Sequence, residues 1–238
     1  YAKTNLMLCV LTYVLVLYST FLTRSGVLGD ASVHSFTDLG LSGQLLVYLV
    51  FFTLAAIILL AMRWKEIPTS EKEVSTYSRE FWIFLGATTL CLMGFQVLLP
   101  TSIPVYNSIV RLLGGISNLA PPANQIEFYS KFQLWFGIAV ALLSGTGQFF
   151  WWRRMDKGNW RKEFLTPILI TLIVFTAVIL LAEVYHPTYL LLTLAGIYII
   201  VSNIKTLSTI FKTSPRLSGG AISHIGIGMI LIGIMFSS

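Results

Sequence analysis

Charge is what this sequence has least of. Of its 238 residues, 11% are Asp, Glu, Lys or Arg, less than half the roughly 25% of a soluble domain. Hydrophobic residues make up 55%, and the mean hydropathy is +0.79. That balance argues against a soluble domain and makes an integral membrane protein the default. Thiols are equally scarce. Cys9 and Cys91 lie inside apolar runs with no CxxC and no metal-ligand spacing. They read as small buried hydrophobes, and the chain is not itself a thiol–disulfide exchanger. There is no glycine-rich nucleotide loop, no Ser/His/Asp set, no pair of catalytic carboxylates and no CxxCH heme-attachment site. No catalytic constellation is complete within the chain.

What is present is a series of long apolar runs. A membrane helix needs about 20 apolar residues, and seven stretches qualify: 5–22, 43–62, 81–99, 132–150, 164–182, 188–204 and 221–238. The expected fold is therefore all-α, a polytopic transmembrane helical bundle of about seven spans, taken as a single domain over 1–238. Of the 16 basic residues, 13 fall at Lys3 or in the loops 63–80, 151–163 and 205–220. Seven alternating spans put those loops on one face, and the excess of Lys and Arg marks that face as cytoplasmic. The N-terminus is then cytoplasmic, and the loops 23–42, 100–131 and 183–187 lie outside. Trp64, Trp82, Trp135, Trp151 and Trp152 sit near span ends, as an aromatic belt requires. The net charge of +6 comes from these short basic clusters, a pattern of membrane orientation rather than of nucleic-acid binding. The chain begins at Tyr1 without a basic n-region or a cleavage site, and it reads as a piece of something longer. The loop 100–131 suggests a short surface helix followed by a break at Pro121–Pro122, a lid or docking surface.

The three histidines are the strongest candidates for chemistry, since neutral imidazole binds metal and heme iron. His224 opens the last span in "GGAISHIGIGMILIG", with Gly220 and Gly228 at i−4 and i+4. Glycines on one stripe with a histidine leave a flat slot beside the ring. The same spacing also serves close helix packing, with His224 as an interhelical hydrogen-bond partner. His34 lies in the outside loop "TRSGVLGDASVHSFTD", where an isolated histidine is ordinarily solvated. Arg24 stands where it could hold a propionate or a lipid phosphate, or snorkel to headgroups. His186, in "VYHPTY", reads as a turn residue, and Glu183, Glu127 and Arg111 as surface charges. Other polar groups within the spans reduce, on this reading, to Gln96, Asn203 and scattered Ser and Thr.

Two motifs resemble a known family. "STFLTRSGVLGDASVHSF" is similar to the signature that follows the tryptophan-rich WWD segment of CcmF proteins, and "HIGIGMILIGI" to the family's final HxG helix. Between them, "YSREFWIFLGATTL" and "PPANQIEFYSKFQLWFGIAVALLSGTGQFFWWRR" resemble further family segments in order. The resemblance implies a membrane heme lyase of cytochrome c maturation. Such a protein holds heme outside the membrane and attaches it to CxxCH thiols of apocytochrome c, while a separate heme b serves to reduce the heme iron. By motif, His34 corresponds to an axial ligand of the WWD heme and His224 to a ligand of heme b, with Gly220 and Gly228 giving heme clearance. Asp30 and Ser32 are candidate partners for the His34 ring. The implied partners are apocytochrome c, heme-chaperone and thiol-handling maturation subunits, and quinol as a candidate electron source. The implied location is the bacterial inner membrane, with the heme loops periplasmic. The WWD segment and both partner histidines are not in this sequence, which fits a fragment beginning after them. Within the superfamily, a CcsA-type exporter and lyase or the paralogue dedicated to nitrite reductase is the alternative. Outside it, the alternative is a heme-free multispan transporter with a midplane polar site on broken helices.

Overall fold

The computed structural model describes residues 2–29, 40–68, 78–152, 160–182 and 186–237. Its elements in chain order are α1 (Ala2–Arg24), α2 (Ser42–Arg63), α3 (Arg79–Thr101), α4 (Ile103–Leu112), α5 (Gln125–Trp152), α6 (Trp160–Ala182), α7 (Pro187–Thr213), a 3-10 turn (Pro215–Leu217) and α8 (Gly219–Ser237). No strand occurs among the described residues. All but α4 are long and apolar enough to cross a membrane, seven candidate spans among the described residues, matching the seven apolar runs.

Several helices outlast their apolar runs for local reasons. Before α5, Asn124 Oδ1 accepts from the Glu127 N–H at 3.1 Å and Asn124 Nδ2 donates to Glu127 Oε2 at 3.1 Å. This is a reciprocal cap that starts the helix well before the hydrophobic stretch. At its far end α7 continues to Thr213, with the Thr206 and Thr209 hydroxyls donating to carbonyls one turn back. Much of the segment read as the loop 205–220 is therefore helix. Pro167 lies inside α6 and has no N–H to give the Glu163 carbonyl one turn back. Lys205 of α7 supplies the missing donor: its Nζ donates to Glu163 O at 2.7 Å and pairs with Glu163 Oε2 at 2.8 Å.

The chain divides into two compact units, although the sequence offers no linker to mark the division. The first comprises residues 1–73 and 99–123, the second 74–98 and 124–238. In the first, α1 and α2 pack antiparallel, with Lys3 Nζ over the Trp64 ring at one end and Tyr13 edge-on to Phe52 further along.

In the second unit α7 is the axis. Of its spanning window 56% is buried, against at most 17% for any other span. A stripe of Leu192, Ala195, Ile199, Ser202, Thr206 and Ile210 is covered on the inside, while the other helices leave many large apolar side chains exposed. Two glycines set the approach of α8. A Cβ on Gly228 would stand 2.6 Å from Ile200 Cγ1 and 2.7 Å from Ile199 Cγ2, and one on Gly196 would stand 2.9 Å from Ile232 Cγ1. Helices without side chains at the crossing gain van der Waals contact that lipid cannot replace. Gly145 does the same on α5, where a Cβ would meet the Tyr198 ring at 2.7 Å. The space beside Gly228 is thus filled by α7. The i+4 stripe places Gly228 near the His224 face, and in this structure α7 packs against it there. Gly220 has open space beside it.

The two glycines should respond differently to the same change. Gly228→Ala is expected to destabilise the protein by about 1–3 kcal/mol through overpacking. Gly220→Ala should be neutral or stabilising by up to about 1 kcal/mol from helix propensity. Thermal unfolding of the intact protein in detergent separates them, and equal losses would contradict the packing argument.

Candidate functional site

The chemistry-bearing residues of the second unit collect near the ends of α3, α5 and α8 that adjoin the basic loops. α3 and α5 run antiparallel and are tied twice. At one end Trp82 stacks on Phe150, with ring centroids 5.0 Å apart and planes 15° apart. At the other, Gln133 Nε2 donates to Gln96 Oε1 and, at 3.3 Å, to the Met93 carbonyl. Each tie suits its place. Stacking needs no polar partner, and an amide pair satisfies part of two groups that hydrocarbon cannot solvate. Gln96 Nε2 and Gln133 Oε1 remain buried without a partner among the described residues.

Between the ties lies an open cleft of about 240 Å³. Its walls are Gly86 and Leu90 of α3, Val140 and Ser144 of α5, and His224 of α8. Arg79 and Gln148 stand at the end near the basic loops. The walls are mostly apolar, and no Cβ fills the space beside Gly86.

His224 is half-buried, and its ring is held by one nitrogen. Nδ1 lies 2.7 Å from the Gly220 carbonyl oxygen, one turn back. A carbonyl only accepts, so Nδ1 carries the proton and donates. The Gln148 amide nitrogen is 3.1 Å from the same Nδ1. A half-turn of that amide brings its oxygen round to accept as well. In the neutral ring this leaves the lone pair on Nε2, which has no hydrogen-bond partner among the described residues. A histidine whose far nitrogen donates to a carbonyl is the usual arrangement behind a metal-binding imidazole. No three His, Cys, Asp or Glu side chains cluster as an ordinary metal site would need among the described residues. An iron already held by a macrocycle asks for only an axial ligand or two.

Neither Arg24 nor His186 lines this cleft. His34, with Asp30 and Ser32, lies outside the described residues. Arg24 closes α1 and is exposed, where a cation also complements the helix C-terminus. His186 caps the N-terminus of α7, its carbonyl accepting from the Leu190 N–H and its ring lying 5.0 Å from Tyr189. The site residues that the sequence reading missed are Gln148, Trp82 and Arg79. Arg79 is half-exposed and paired with Glu80 at 3.6 Å. Gln148 carried a usable signal. It is an amide inside a span, in "GTGQFF", and the tally of intramembrane polar groups passed over both it and Gln133. Asn203, which that tally included, donates to its own helix at Ile199 O, 2.8 Å away.

Comparison with known proteins places this geometry in context. The cytochrome c-type biogenesis protein CcmF of Escherichia coli is 27% identical over 242 residues, covering 98% of this chain. CcmF of Haemophilus influenzae is 28% identical over 254 residues, and the cytochrome c-type biogenesis protein ccl1 of Rhodobacter capsulatus is 27% identical over 241. These matches support membership of the CcmF family. The chain spans about a third of the length of the curated CcmF relatives it matches, 35–36% of each. No family model matches the chain, and no solved structure matches it. With seven apolar helices and CcmF relatives, it is a multi-pass membrane protein.

The tautomer is directly measurable. In intact protein labelled with ¹⁵N-histidine and free of added cofactor, the His224 ring should give the pattern of a neutral imidazole protonated at Nδ1. A proton on Nε2 would break the hydrogen-bond assignment.

Proposed function

We propose that this chain forms part of a membrane heme lyase for cytochrome c biogenesis, and that His224 would be a ligand of its heme b. One observation carries the reading: the Gly220 carbonyl holds the His224 Nδ1 proton, which leaves Nε2 as a lone pair beside an apolar cleft. The residues present fit such a group. Apolar walls exclude water from a macrocycle, Gly86 leaves room at the wall, and Arg79 at the mouth offers the cation that a propionate needs. Gly220 contributes its carbonyl and its open flank. A heme bound there would supply a one-electron couple, tuned by its axial nitrogen and the hydrogen bond behind it.

The heme to be attached is a separate molecule and a substrate. In this reading His34 ligates its iron on the far side of the membrane from the basic loops, and Arg24 pairs with a propionate. Each CxxCH thiol of apocytochrome c adds across a vinyl group: a C–S bond forms, the thiol hydrogen ends on the neighbouring carbon, and no net oxidation occurs. The chain's share is to position the heme and hold its iron reduced. Excess Lys and Arg on one face orient the basic loops to the cytoplasm of a bacterial cell and the His34 loop to the periplasm. Apocytochrome c, heme-delivering and thiol-handling subunits, and a quinol as electron source complete the proposed setting.

The intact protein should show a b-type reduced-minus-oxidised spectrum that His224→Ala loses. His34→Ala should keep that spectrum but lower cytochrome c assembly in cells by about 10- to 100-fold, the scale of losing a metal ligand's support. A b-type signal that survives His224→Ala would remove the ligand assignment, and normal assembly with His34→Ala would return His34 to an ordinary loop residue.

A further inference from the structure

The first unit carries a feature that the proposed chemistry does not use. After α3, a single residue, Ser102, leads into α4. The Tyr18 hydroxyl of α1 donates to Ser102 Oγ at 2.7 Å, so the base of α4 is fixed at the level where two spans end. α4 stops in a compact cap. The Gly115 N–H donates to the Val110 carbonyl at 2.9 Å and the Gly114 N–H to Arg111 at 3.0 Å, with Gly114 at φ +79°. That conformation suits glycine and makes the standard Schellman ending. The return segment is pinned to the helix by Asn107: its Oδ1 accepts from Ser117 Oγ at 2.6 Å and its Nδ2 donates to the Leu119 carbonyl at 2.8 Å.

This hydrogen-bonded frame leaves its tip bare. Leu112 is 86% exposed, Leu113 80% and Ile116 90%, in a segment that is too short to span a bilayer. Such large aliphatic side chains gathered at one point of a well-tied loop mark an interaction surface.

We propose that this tip, Leu112, Leu113 and Ile116, inserts into the lipid leaflet on the face opposite the basic loops. Two observations select lipid over a protein partner. The loop is continuous with the membrane, since one residue and one hydrogen bond separate α4 from the end of a span. The charge pattern also fits: Arg111 is the single charged residue from 103 to 119, adjacent to the apolar tip, where a guanidinium meets lipid phosphate while aliphatic chains enter the acyl boundary. Protein interfaces, by contrast, concentrate aromatic anchors, and this tip has none. Insertion would hold α4 and its return segment to Leu119 against the bilayer as a fixed ledge, not a lid.

Depth quenching tests this in the intact protein, one copy per nanodisc of phosphatidylcholine and phosphatidylglycerol, with Cys9→Ser and Cys91→Ser removing the native thiols. A fluorophore on Ile116→Cys, with Leu113→Cys as a second site, should be quenched more by nitroxide on shallow acyl positions than by aqueous iodide. The preference should rise with phosphatidylglycerol and weaken in Arg111→Gln. A label on the exposed Lys65→Cys should show the reverse order. Iodide quenching at the tip equal to that at Lys65, or shielding that appears only with a second copy or an added protein, would overturn the proposal.

Discussion

The spacing of α7 and α8 is set by glycine meeting glycine. Gly196 and Gly228 leave no side chain at the crossing, and Ile199, Ile200 and Ile232 fill the flanks. In a membrane this contact has no hydrophobic driving force behind it, because lipid tails are as apolar as leucine. It rests on fit, and a rotation of α8 would spoil the fit. Fixing that rotation fixes His224. One turn separates the two residues, about 40° around the helix axis. With Gly228 against α7, the imidazole is carried past α7 to meet Gln148 of α5.

The remaining parts of the site follow from that rotation. The ring lies where its own helix offers a carbonyl, at Gly220, and where α5 offers an amide, so Nδ1 is committed and Nε2 is not. α3 completes the cleft because it is joined to α5 by the Trp82–Phe150 stack and the Gln96–Gln133 pair. The approach does not depend on glycine at 147, since a Cβ there would stand an ordinary 3.5 Å from Trp82 Cβ. Two ties with apolar wall between them give a slot, not a packed seam. Structure and chemistry thus share one origin: the residues that leave space are as necessary as those that fill it.

How much of this could be read from the chain depends on the kind of force. The seven spans were legible because burial in lipid is a property of composition over about 20 residues. Their ends were not, because the Asn124–Glu127 cap and the hydroxyl-bonded tail of α7 extend helices through polar sequence. His224 stood out as an ionisable group within a span. Its partner Gln148 was visible as an amide within a span, but no periodicity reveals that it faces α8. Gly228 shows the limit most clearly. Helical spacing puts it on the histidine's stripe, but only tertiary packing decides whether the space beside it belongs to a ligand or to a neighbouring helix. The Lys205–Glu163 contact was hidden in the same way, although Pro167 announced that a carbonyl would need a donor. The family resemblance came from ordered motifs and agrees with matches across nearly the whole chain.

Electron paramagnetic resonance reads iron ligation directly, and so tests the proposal that Nε2 of His224 binds heme iron. Oxidised, heme-loaded intact protein should give a low-spin signal of two nitrogen ligands. His224→Gly should convert it to high spin, and added imidazole should restore it. A low-spin signal unchanged in His224→Gly would place the ligand elsewhere and contradict the account.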